Sequence, residues 1–490
     1  MKLAAAPSFR MPSFAGLADA PTASPEEAER LSTTYLDTDD LRLARWGVSL
    51  RHRDGQGWTV KLPPETDGTL LVRPELEFAG NGLRPPAAAV DVVRAFIRSK
   101  ELHPQTRLET LRRRTALRDA WGRLLADVVD DEVAVLEGRR IAARFRELEV
   151  EIGDELPPGL LDALLERLRD AGAGAPDPTP KYIRALGSRA SQPPEVPIPE
   201  LTSGATAGEV VRRAIAASVV RLILHDPVVR LDTDPEGVHQ ARVATRRLRS
   251  DLRTFGRLLD PAWVGALRDE LALLGTILGA VRDGDVLLER MRARATRLSP
   301  QSARGANRVL ATLESERDEA HAELLAALRG KRYVALLDRL VAAANAPVLL
   351  PEADVPAAAV LPGLVRRPWR SLAKRVRALD RKPTDEQLHD VRIRTKRVRY
   401  AAEAAEPLVG KEARALASAA AALQEVLGDL NDAVVAERWL REWARTSHSI
   451  PAVFAAGELA GLERAAAEES RAHWRKAWRA LSAPRLRSWM

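Results

Sequence analysis

The sequence predicts an α+β N-terminal domain, an antiparallel β tunnel or barrel with helices, followed by an all-α domain that is a duplicated helical bundle. Three observations support this. Short alternating runs and turn signals such as Asp54-Gly55 fill the first 187 residues. Residues 188–204 contain four prolines and no periodicity, which is typical of an extended linker. Residues 205–490 are rich in Ala, Leu and Arg at helical spacing.

The N-terminal elements follow from how polar and apolar side chains alternate. Runs rich in β-forming residues indicate strands, and longer runs at helical spacing indicate the helices 87–99 and 159–171. The predicted strands are Gly47 to Arg53, Trp58 to Leu62, Leu71 to Phe78, Glu109 to Leu117, Arg123 to Val129 and Arg144 to Ile152.

The helical domain contains an internal repeat, which predicts two halves at about 205–345 and 363–490. The segment from His239 to Arg249 recurs from His389 to Arg399, at an offset of 150 residues. A second pair, Leu278 to Val286 and Leu427 to Val435, follows at an offset of 149.

Composition narrows the possible functions. The 490 residues contain no cysteine, which excludes disulfides, thiolate zinc sites and cysteine nucleophiles. No run approaches the roughly 18 apolar residues of a membrane span, and the first residues are a poor secretory signal, so we expect a cytoplasmic protein with no membrane partner. Residues 201–490 hold 48 Lys and Arg against 36 Asp and Glu, so a basic partner surface is expected there.

Arginine dominates the cations, since only ten of the 76 are lysine. Arginine binds planar oxyanions bidentately, which suits phosphate recognition, but a GC-rich genome would produce the same bias.

Each repeated helix presents two stripes, because steps of three and four residues keep side chains on one face. The apolar stripes, predicted to face the core, are Val238, Ala241, Thr245, Leu248, Leu252 and Phe255 in the first copy, and Leu388, Val391, Thr395, Val398 and Ala402 in the second. The cationic stripes are His239, Arg242, Arg246, Arg249 and Arg253, matched by His389, Arg392, Lys396 and Arg399.

The cationic stripes suit an extended polyanion. Like charges four residues apart destabilise a helix by roughly 0.2 to 0.5 kcal/mol per pair, and the stripe from His239 to Arg253 spans about 21 Å. If the two copies lie side by side, the stripes form one groove. The alternative is a solvated face, or internal salt bridges to Asp283, Asp285, Asp429 and Asp432. Neither His239 nor His389 has a carboxylate or histidine four residues later, which argues against metal ligation.

The paired H-x-x-R-x-x-(K/R)-(K/R)-x-R helices and L-G-x-x-(R/N)-D segments resemble a CHAD domain, over about 280 residues from Thr206 onward. That resemblance implies binding of inorganic polyphosphate. The residues it assigns to polyphosphate are His239, Arg242, Arg246, Arg247, Arg249, Arg253, His389, Arg392, Lys396, Arg397 and Arg399.

Residues 1–187 resemble the CYTH domain, the triphosphate tunnel fold, in segments such as Thr34 to Thr38, Arg73 to Glu77 and Glu147 to Glu151. The resemblance implies that alternating charges line the inside of the tunnel. The implied triphosphate-binding residues are Lys2, Arg51, Arg53, Lys61, Arg73, Arg112, Arg114 and Lys181. The implied ligands of Mg²⁺ or Mn²⁺ are Glu75, Glu77, Glu147, Glu149 and Glu151. No catalytic residue is assigned.

One departure from the CYTH pattern concerns its E-x-E-x-K motif, whose lysine matches Lys2. Both glutamates would precede Met1, so we expect either a start placed too far downstream or a naturally degenerate domain.

Three functions follow as hypotheses. The first is a polyphosphate-binding protein, located in the cytoplasm and at polyphosphate granules, whose CYTH domain binds triphosphate or polyphosphate with weak or no turnover. The second is a metal-dependent hydrolase of inorganic triphosphate or a triphosphate-containing small molecule, with CHAD concentrating the substrate. The third, nucleic-acid binding, is disfavoured because aromatics are 4% of the chain and lie outside the stripes, which leaves no base-stacking platform.

Overall fold

A computed structural model describes residues 1–17, 22–67, 70–82, 84–153 and 156–490, with residues 65–67 and 70–72 described by their backbone alone. The chain divides into two compact units, Met1–Glu195 and Val196–Met490.

The first unit is built on an antiparallel sheet of ten strands, and a separate hairpin pairs β6 with β7. The strands are β1 (Lys2–Ala5), β2 (Thr22–Pro25), β3 (Glu29–Asp37), β4 (Ser49–Arg53), β5 (Gly57–Lys61), β6 (Glu65–Asp67), β7 (Leu70–Val72), β8 (Glu75–Phe78), β9 (His103–Arg118), β10 (Leu124–Glu137), β11 (Arg140–Ile152) and β12 (Ala173–Pro176). Their order in the sheet is β12-β1-β11-β10-β9-β3-β4-β5-β8, with β2 paired to β9.

Five short helices complete this unit, and one of them covers the outer face of the sheet. They are α1 (Arg42–Arg45), α2 (Ala87–Val92), α3 (Arg94–Ile97), α4 (Leu160–Asp170) and α5 (Lys181–Leu186). Apolar residues of α4 such as Leu164 pack with Val128 and Leu148 in one buried cluster. Because side chains alternate along a strand, the neighbours of these apolar residues point to the opposite face. Charged residues such as Asp131 and Glu149 therefore occupy the inner side of β10 and β11.

The proline-rich segment predicted as a linker is anchored to the first unit up to Glu195. The Glu195 carboxylate accepts hydrogen bonds from Trp46 Nε1 at 2.9 Å and Arg98 Nη1 at 2.5 Å. The unit therefore includes the first half of this segment.

The second unit is entirely helical, as the composition predicts. Its helices are α6 (Ala207–Leu231), α7 (Pro235–Thr254), α8 (Pro261–Ala295), α9 (Pro300–Arg329), α10 (Lys331–Asn345), α11 (Ala357–Arg377), α12 (Asp385–Val409), α13 (Lys411–Thr446) and α14 (Ile450–Leu481). The series α6 to α9 and α11 to α14 correspond to the two repeats. Within the described ranges, no helix combines the length and apolarity that crossing a bilayer would require.

The two motif helices begin at equivalent side-chain caps. Asp234 accepts a hydrogen bond from the backbone of Glu236 at 2.8 Å and so caps α7. Thr384, 150 residues later, accepts one from the backbone of Gln387 at 3.3 Å and caps α12. Side-chain caps satisfy the free N–H groups of a first turn. Each helix therefore starts at the same point of its repeat, which gives both stripes the same phase.

The predicted core stripes are confirmed, since every one of their residues is buried. Thr245 and Thr395 are fully buried, and each hydroxyl donates a hydrogen bond to the carbonyl four residues earlier, at 2.9 and 2.8 Å. The repeated threonine thus satisfies its own polar group inside the core.

Candidate anion-binding sites

The two cationic stripes of the second unit meet where α7 packs against α12. Arg247 of α7 pairs with Glu403 of α12 at 3.0 Å, and Glu403 also pairs with Arg399 at 2.7 Å. The stripes therefore lie next to each other and form one cationic surface, called here the groove and defined by His239, Arg242, Arg246, Arg249 and Arg253 of α7 with His389, Arg392, Lys396, Arg397 and Arg399 of α12.

The repeated L-G segments lie beneath the first arginine of each stripe. A methyl group at Gly279 of α8 would lie 3.6 Å from the Arg242 guanidinium, and one at Gly428 of α13 would lie 3.8 Å from that of Arg392. The two sequence motifs of each repeat thus meet in space, because the small residue lets the guanidinium lie close to the helix backbone.

Six cations of the groove have no carboxylate within ion-pairing distance in the second unit, all of whose residues are described. They are Arg246, Arg249, Arg253, Arg392, Lys396 and Arg397, since no salt bridge to any of them is formed. Buried guanidinium nitrogens of Arg246, Arg392 and Arg397 also have no hydrogen-bond partner. A buried donor without a partner is costly, so these groups are poised to accept an external anion.

Lys396 is largely buried among these cations. Burial and, after it, the charges of Arg246, Arg392 and Arg242 together lower its pKa from 10.5 to about 6. Burial likewise lowers the pKa of Arg392, although Asp432 partly opposes this. Cations from both helices therefore act on one another, which is expected only if the two stripes share one space.

The alternative was that the cations of the groove form internal salt bridges with four nearby carboxylates, and only one of the four does so. Asp283 pairs with Arg242 at 2.7 Å, while its own side chain stays largely exposed. Asp285 instead pairs with Arg317 of α9 at 2.9 Å. Neither Asp429 nor Asp432 forms an ion pair with the groove in residues 196–490. The groove thus keeps a net positive charge.

Two residues near the groove were not singled out from the sequence, and a third, Arg282, was noted only as part of the repeated L-G-x-x-(R/N)-D segment. Glu403 pairs with Arg247 and Arg399 and so neutralises part of their positive charge. Asp251, on the buried side of α7, has both carboxylate oxygens without hydrogen-bond partners, and burial raises its pKa to about 7, with Arg247 opposing. Burial and, after it, Arg282 lower the pKa of His239. A periodic pattern on one helix carries no signal for such contacts between helices.

The first unit encloses a cavity of about 280 Å³, which we call the tunnel cavity. It is lined from eight strands of the sheet and by α5. All eight cations predicted to bind triphosphate line it, together with Glu75, Glu77, Glu149, Glu151 and the unpredicted Asp131. Glu147 is fully buried beside the cavity and does not line it. Eight cations against five carboxylates leave the lining net positive.

One side of the tunnel cavity holds a charge-balanced cluster. Lys181 pairs with Asp131 at 2.6 Å, Glu147 at 3.0 Å and Glu149 at 3.1 Å. Lys2 pairs with Glu149 at 2.6 Å, and Arg112 with Asp131 at 2.7 Å. Although burial opposes ionisation, Lys181 and Lys2 hold the pKa of Glu149 far below its usual range, so it stays charged.

The other cations of the lining differ in whether they already have an ion-pair or hydrogen-bond partner. Arg51 and Lys61 share Glu75, at 2.7 and 2.6 Å. Arg73 donates to the backbone carbonyls of Leu62 (2.9 Å) and Gly47, so it holds two loops together. Two guanidinium groups remain available.

Those two are Arg53 and Arg114. Arg53 donates to Thr33 and Gln56, both neutral, at 3.4 and 2.9 Å. Arg114 has a buried Nε without a hydrogen-bond partner and forms no ion pair among the described residues. Both can bind a phosphate oxygen without first losing a carboxylate partner.

The arrangement does not fit a preformed metal site. No group of three or more potential ligands occurs among the described residues. Glu75, Glu147 and Glu149 are each held by lysine or arginine, and only Glu77 and Glu151 are left without an ion pair in the described part of the chain. The metal assignment therefore stays a prediction.

Comparison with known proteins agrees with this division. Residues 9–183 match the CYTH domain and residues 213–441 match the CHAD domain. CYTH domains are generally metal-dependent. Two solved structures are similar to the chain. The CHAD domain from the plant Ricinus communis is 31% identical, with a TM-score of 0.49, over 59% of this chain and 96% of that one. PptA from Streptomyces chartreusis is 24% identical, with a TM-score of 0.47, over 56% of this chain and 100% of that one.

Two full-length relatives span both units. Uncharacterized proteins of Mycobacterium tuberculosis strains CDC 1551 and H37Rv are each 32% identical over 460 residues, which is 88% of this chain and 86% of theirs. The chain therefore belongs to the family of two-domain proteins in which a CYTH domain precedes a CHAD domain.

Proposed function

We propose that the second unit binds inorganic polyphosphate in the cationic groove. The observation that carries this proposal is the set of six cations, from two packed helices, that have no carboxylate partner. A structural salt-bridge network would place acids among them, as it does at Glu403. A linear polyanion supplies the missing charge along the whole groove.

The physical chemistry favours a ligand with many closely spaced charges. Arginine binds phosphate oxygens through paired N–H donors, and such charge-assisted bonds are strong. Each phosphate contact also releases counterions, which makes affinity depend steeply on salt. The depressed pKa of Lys396 means that a bound polyanion gains a further contact by drawing a proton onto this side chain.

We propose in addition that the first unit binds a triphosphate group in the tunnel cavity. The net positive lining and the uncommitted Arg53 and Arg114 support it. Its ligand is tripolyphosphate, the end of a polyphosphate chain, or a triphosphate-containing small molecule. We place the protein in the cytoplasm, at polyphosphate granules, where such ligands occur.

Metal-dependent hydrolysis is the second candidate function. Glu77 and Glu151, which line the cavity without ion pairs, favour it, because hard divalent cations prefer carboxylate oxygens. Hydrolysis of tripolyphosphate by the full chain with Mg²⁺ or Mn²⁺, lost in Glu151→Gln, would support this candidate over simple binding.

The test of groove binding is a titration of the full chain with long-chain polyphosphate at several salt concentrations. We expect Arg246→Gln with Arg392→Gln to weaken binding at least tenfold while the melting temperature stays within a few degrees. The matched control is Arg304→Gln with Arg308→Gln, which removes two exposed α9 cations that form no ion pair. Equal loss in both variants, or binding insensitive to salt, would contradict the proposal. Competition with double-stranded DNA distinguishes polyphosphate from nucleic acid as the preferred ligand.

A further inference from the structure

A second cationic surface lies on α11, outside the groove. We call it the α11 face; its residues are Arg366, Arg367, Arg370, Lys374 and Arg377, all exposed. They recur at steps of three and four and so share one side of the helix. From first to last they span about 17 Å. The opposite side of α11 carries its buried residues, including Leu361, Val365 and Leu372.

The positive charge of this face is uncompensated. None of its five cations forms an ion pair within the second unit. Arg375, which points toward α12 instead, does pair with Asp390, at 2.7 Å. Acids therefore occur where α11 packs on its neighbour and not on its outward side. Because like charges at these spacings repel, an unneutralised row destabilises the helix when no ligand is bound.

The internal repeat supplies a comparison. The equivalent positions on α6, 150 residues earlier, are Ala216, Ala217, Val220, Leu224 and Pro227, and none is charged. Helix α10 packs against α6, and Tyr333 of α10 donates a hydrogen bond to Asp226 of α6 at 2.8 Å. A general compositional bias toward arginine would affect exposed positions of both copies, but the exposed Ala217 and Leu224 of α6 are uncharged. The cationic row is instead specific to the second half.

The α11 face and the groove lie on different sides of α12. Asp390 and Arg394 of α12 contact α11, the latter through Ser371 at 2.5 Å. The groove residues Arg392 and Lys396 each come two positions later, which is about 200° around the helix. A polyanion bound in the groove therefore leaves the α11 face free.

The chemistry of the face selects among polyanions. The one indole of α11, Trp369, is buried against Trp478, with ring centroids 5.6 Å apart, so α11 offers no exposed ring to stack on a base. None of the exposed large apolar side chains belongs to α11, so nothing on this face inserts into a bilayer. A row of cations alone fits an unbranched inorganic polyanion.

We propose that the α11 face binds a second segment of inorganic polyphosphate, so that one protein molecule bridges two chains or two distant parts of one chain. This inference rests on the proposed function of the groove, which provides the first attachment.

The test mixes the full chain with long-chain polyphosphate and follows assembly by light scattering, with binding measured in parallel. The variant is Arg366→Gln with Arg370→Gln and Lys374→Gln. The control is Arg297→Gln with Arg304→Gln and Arg308→Gln, which removes three exposed cations elsewhere. We expect the light scattering of the α11 variant with polyphosphate to be at least fivefold weaker than that of the wild type. The affinity of its tightest polyphosphate-binding site should change less than twofold. The control should scatter like the wild type, and tripolyphosphate, too short to bridge, should cause no scattering.

Several results would overturn the inference. Unchanged assembly in the α11 variant would do so, as would equal loss in the control. A wild type that binds long chains tightly in the groove but never assembles would leave the proposed function standing and this inference wrong. Absence of any binding by the wild type would refute both. If the α11 variant instead loses only affinity for duplex DNA or for phosphatidylserine vesicles, the face serves another polyanion and the proposal fails.

Discussion

Lys396 offers the sharpest test of the groove, because its charge depends on whether a ligand is present. Burial, together with three neighbouring arginines, lowers its pKa from 10.5 to about 6 in the folded, ligand-free chain. That shift corresponds to about 6 kcal/mol of unfavourable environment for the charged form. A bound polyphosphate neutralises the arginines and stabilises the ammonium group. Binding should therefore be accompanied by uptake of close to one proton at neutral pH.

The expected magnitude follows from linkage. Between the free and bound pKa values of one group, affinity falls about tenfold per pH unit, so it should fall up to about a hundredfold between pH 6.5 and 8.5. The pH dependence of the stability of the free protein has a definite sign as well. The unfolded state binds more protons than the folded state between pH 6 and 10.5, so stability rises with pH across that window.

Two substitutions separate charge from packing. Lys396→Met removes the proton, so affinity should become independent of pH in this window and should equal the wild-type value only above the pKa that Lys396 has in the complex. Lys396→Arg keeps a permanent charge, so affinity should also be independent of pH but remain high at pH 8.5. The assay is calorimetric titration with polyphosphate in two buffers of different ionisation enthalpy. A pH dependence that persists in the Met variant, or no proton uptake by the wild type, would refute the reasoning.

The remaining predictions concern the other charged groups and the core. Asp251→Asn should stabilise the protein by up to about 4 kcal/mol at pH 8 and little at pH 4. The reason is that burial raises the pKa of Asp251 from 3.8 to about 7, so that the stability of the wild type falls as the pH rises through that window. Denaturant unfolding at both pH values checks this. Arg114→Gln should weaken tripolyphosphate binding about tenfold without lowering the melting temperature, whereas Arg73→Gln should cost about 1 to 3 kcal/mol of stability, because buried carbonyls lose their donor. Leu248→Asp should unfold the second unit in a thermal melt, because it buries an unpaired carboxylate, whereas Arg246→Gln should not.

The sequence by itself determined the fold class and which side chains share one face of a helix or strand. Helical periodicity is a local property, so the buried stripe through Leu248 and the cationic stripe through Arg246 could be assigned from spacing alone. Because the sequence repeats, the same two stripes were predicted for the second copy of the helix. Alternation within strands similarly placed Arg51 with Arg53 on one face, and only the resemblance to the CYTH domain indicated that this face lines a tunnel. The strand β1 and helix α5 were not predicted from pattern, because each is too short to show a period.

Tertiary structure alone decided which charges remain available for a ligand. Arg73 and Arg114 are alike in sequence pattern, but one is committed to loop carbonyls and the other is unpaired. Burial, and then Arg246, Arg392 and Arg242, lower the pKa of Lys396 to about 6, and two of these arginines belong to a helix about 150 residues away in the chain. Burial also raises the pKa of Asp251, which the sequence of its own helix does not reveal. The physical reason is that desolvation and ion pairing depend on distance in space, and the partners are distant in the chain.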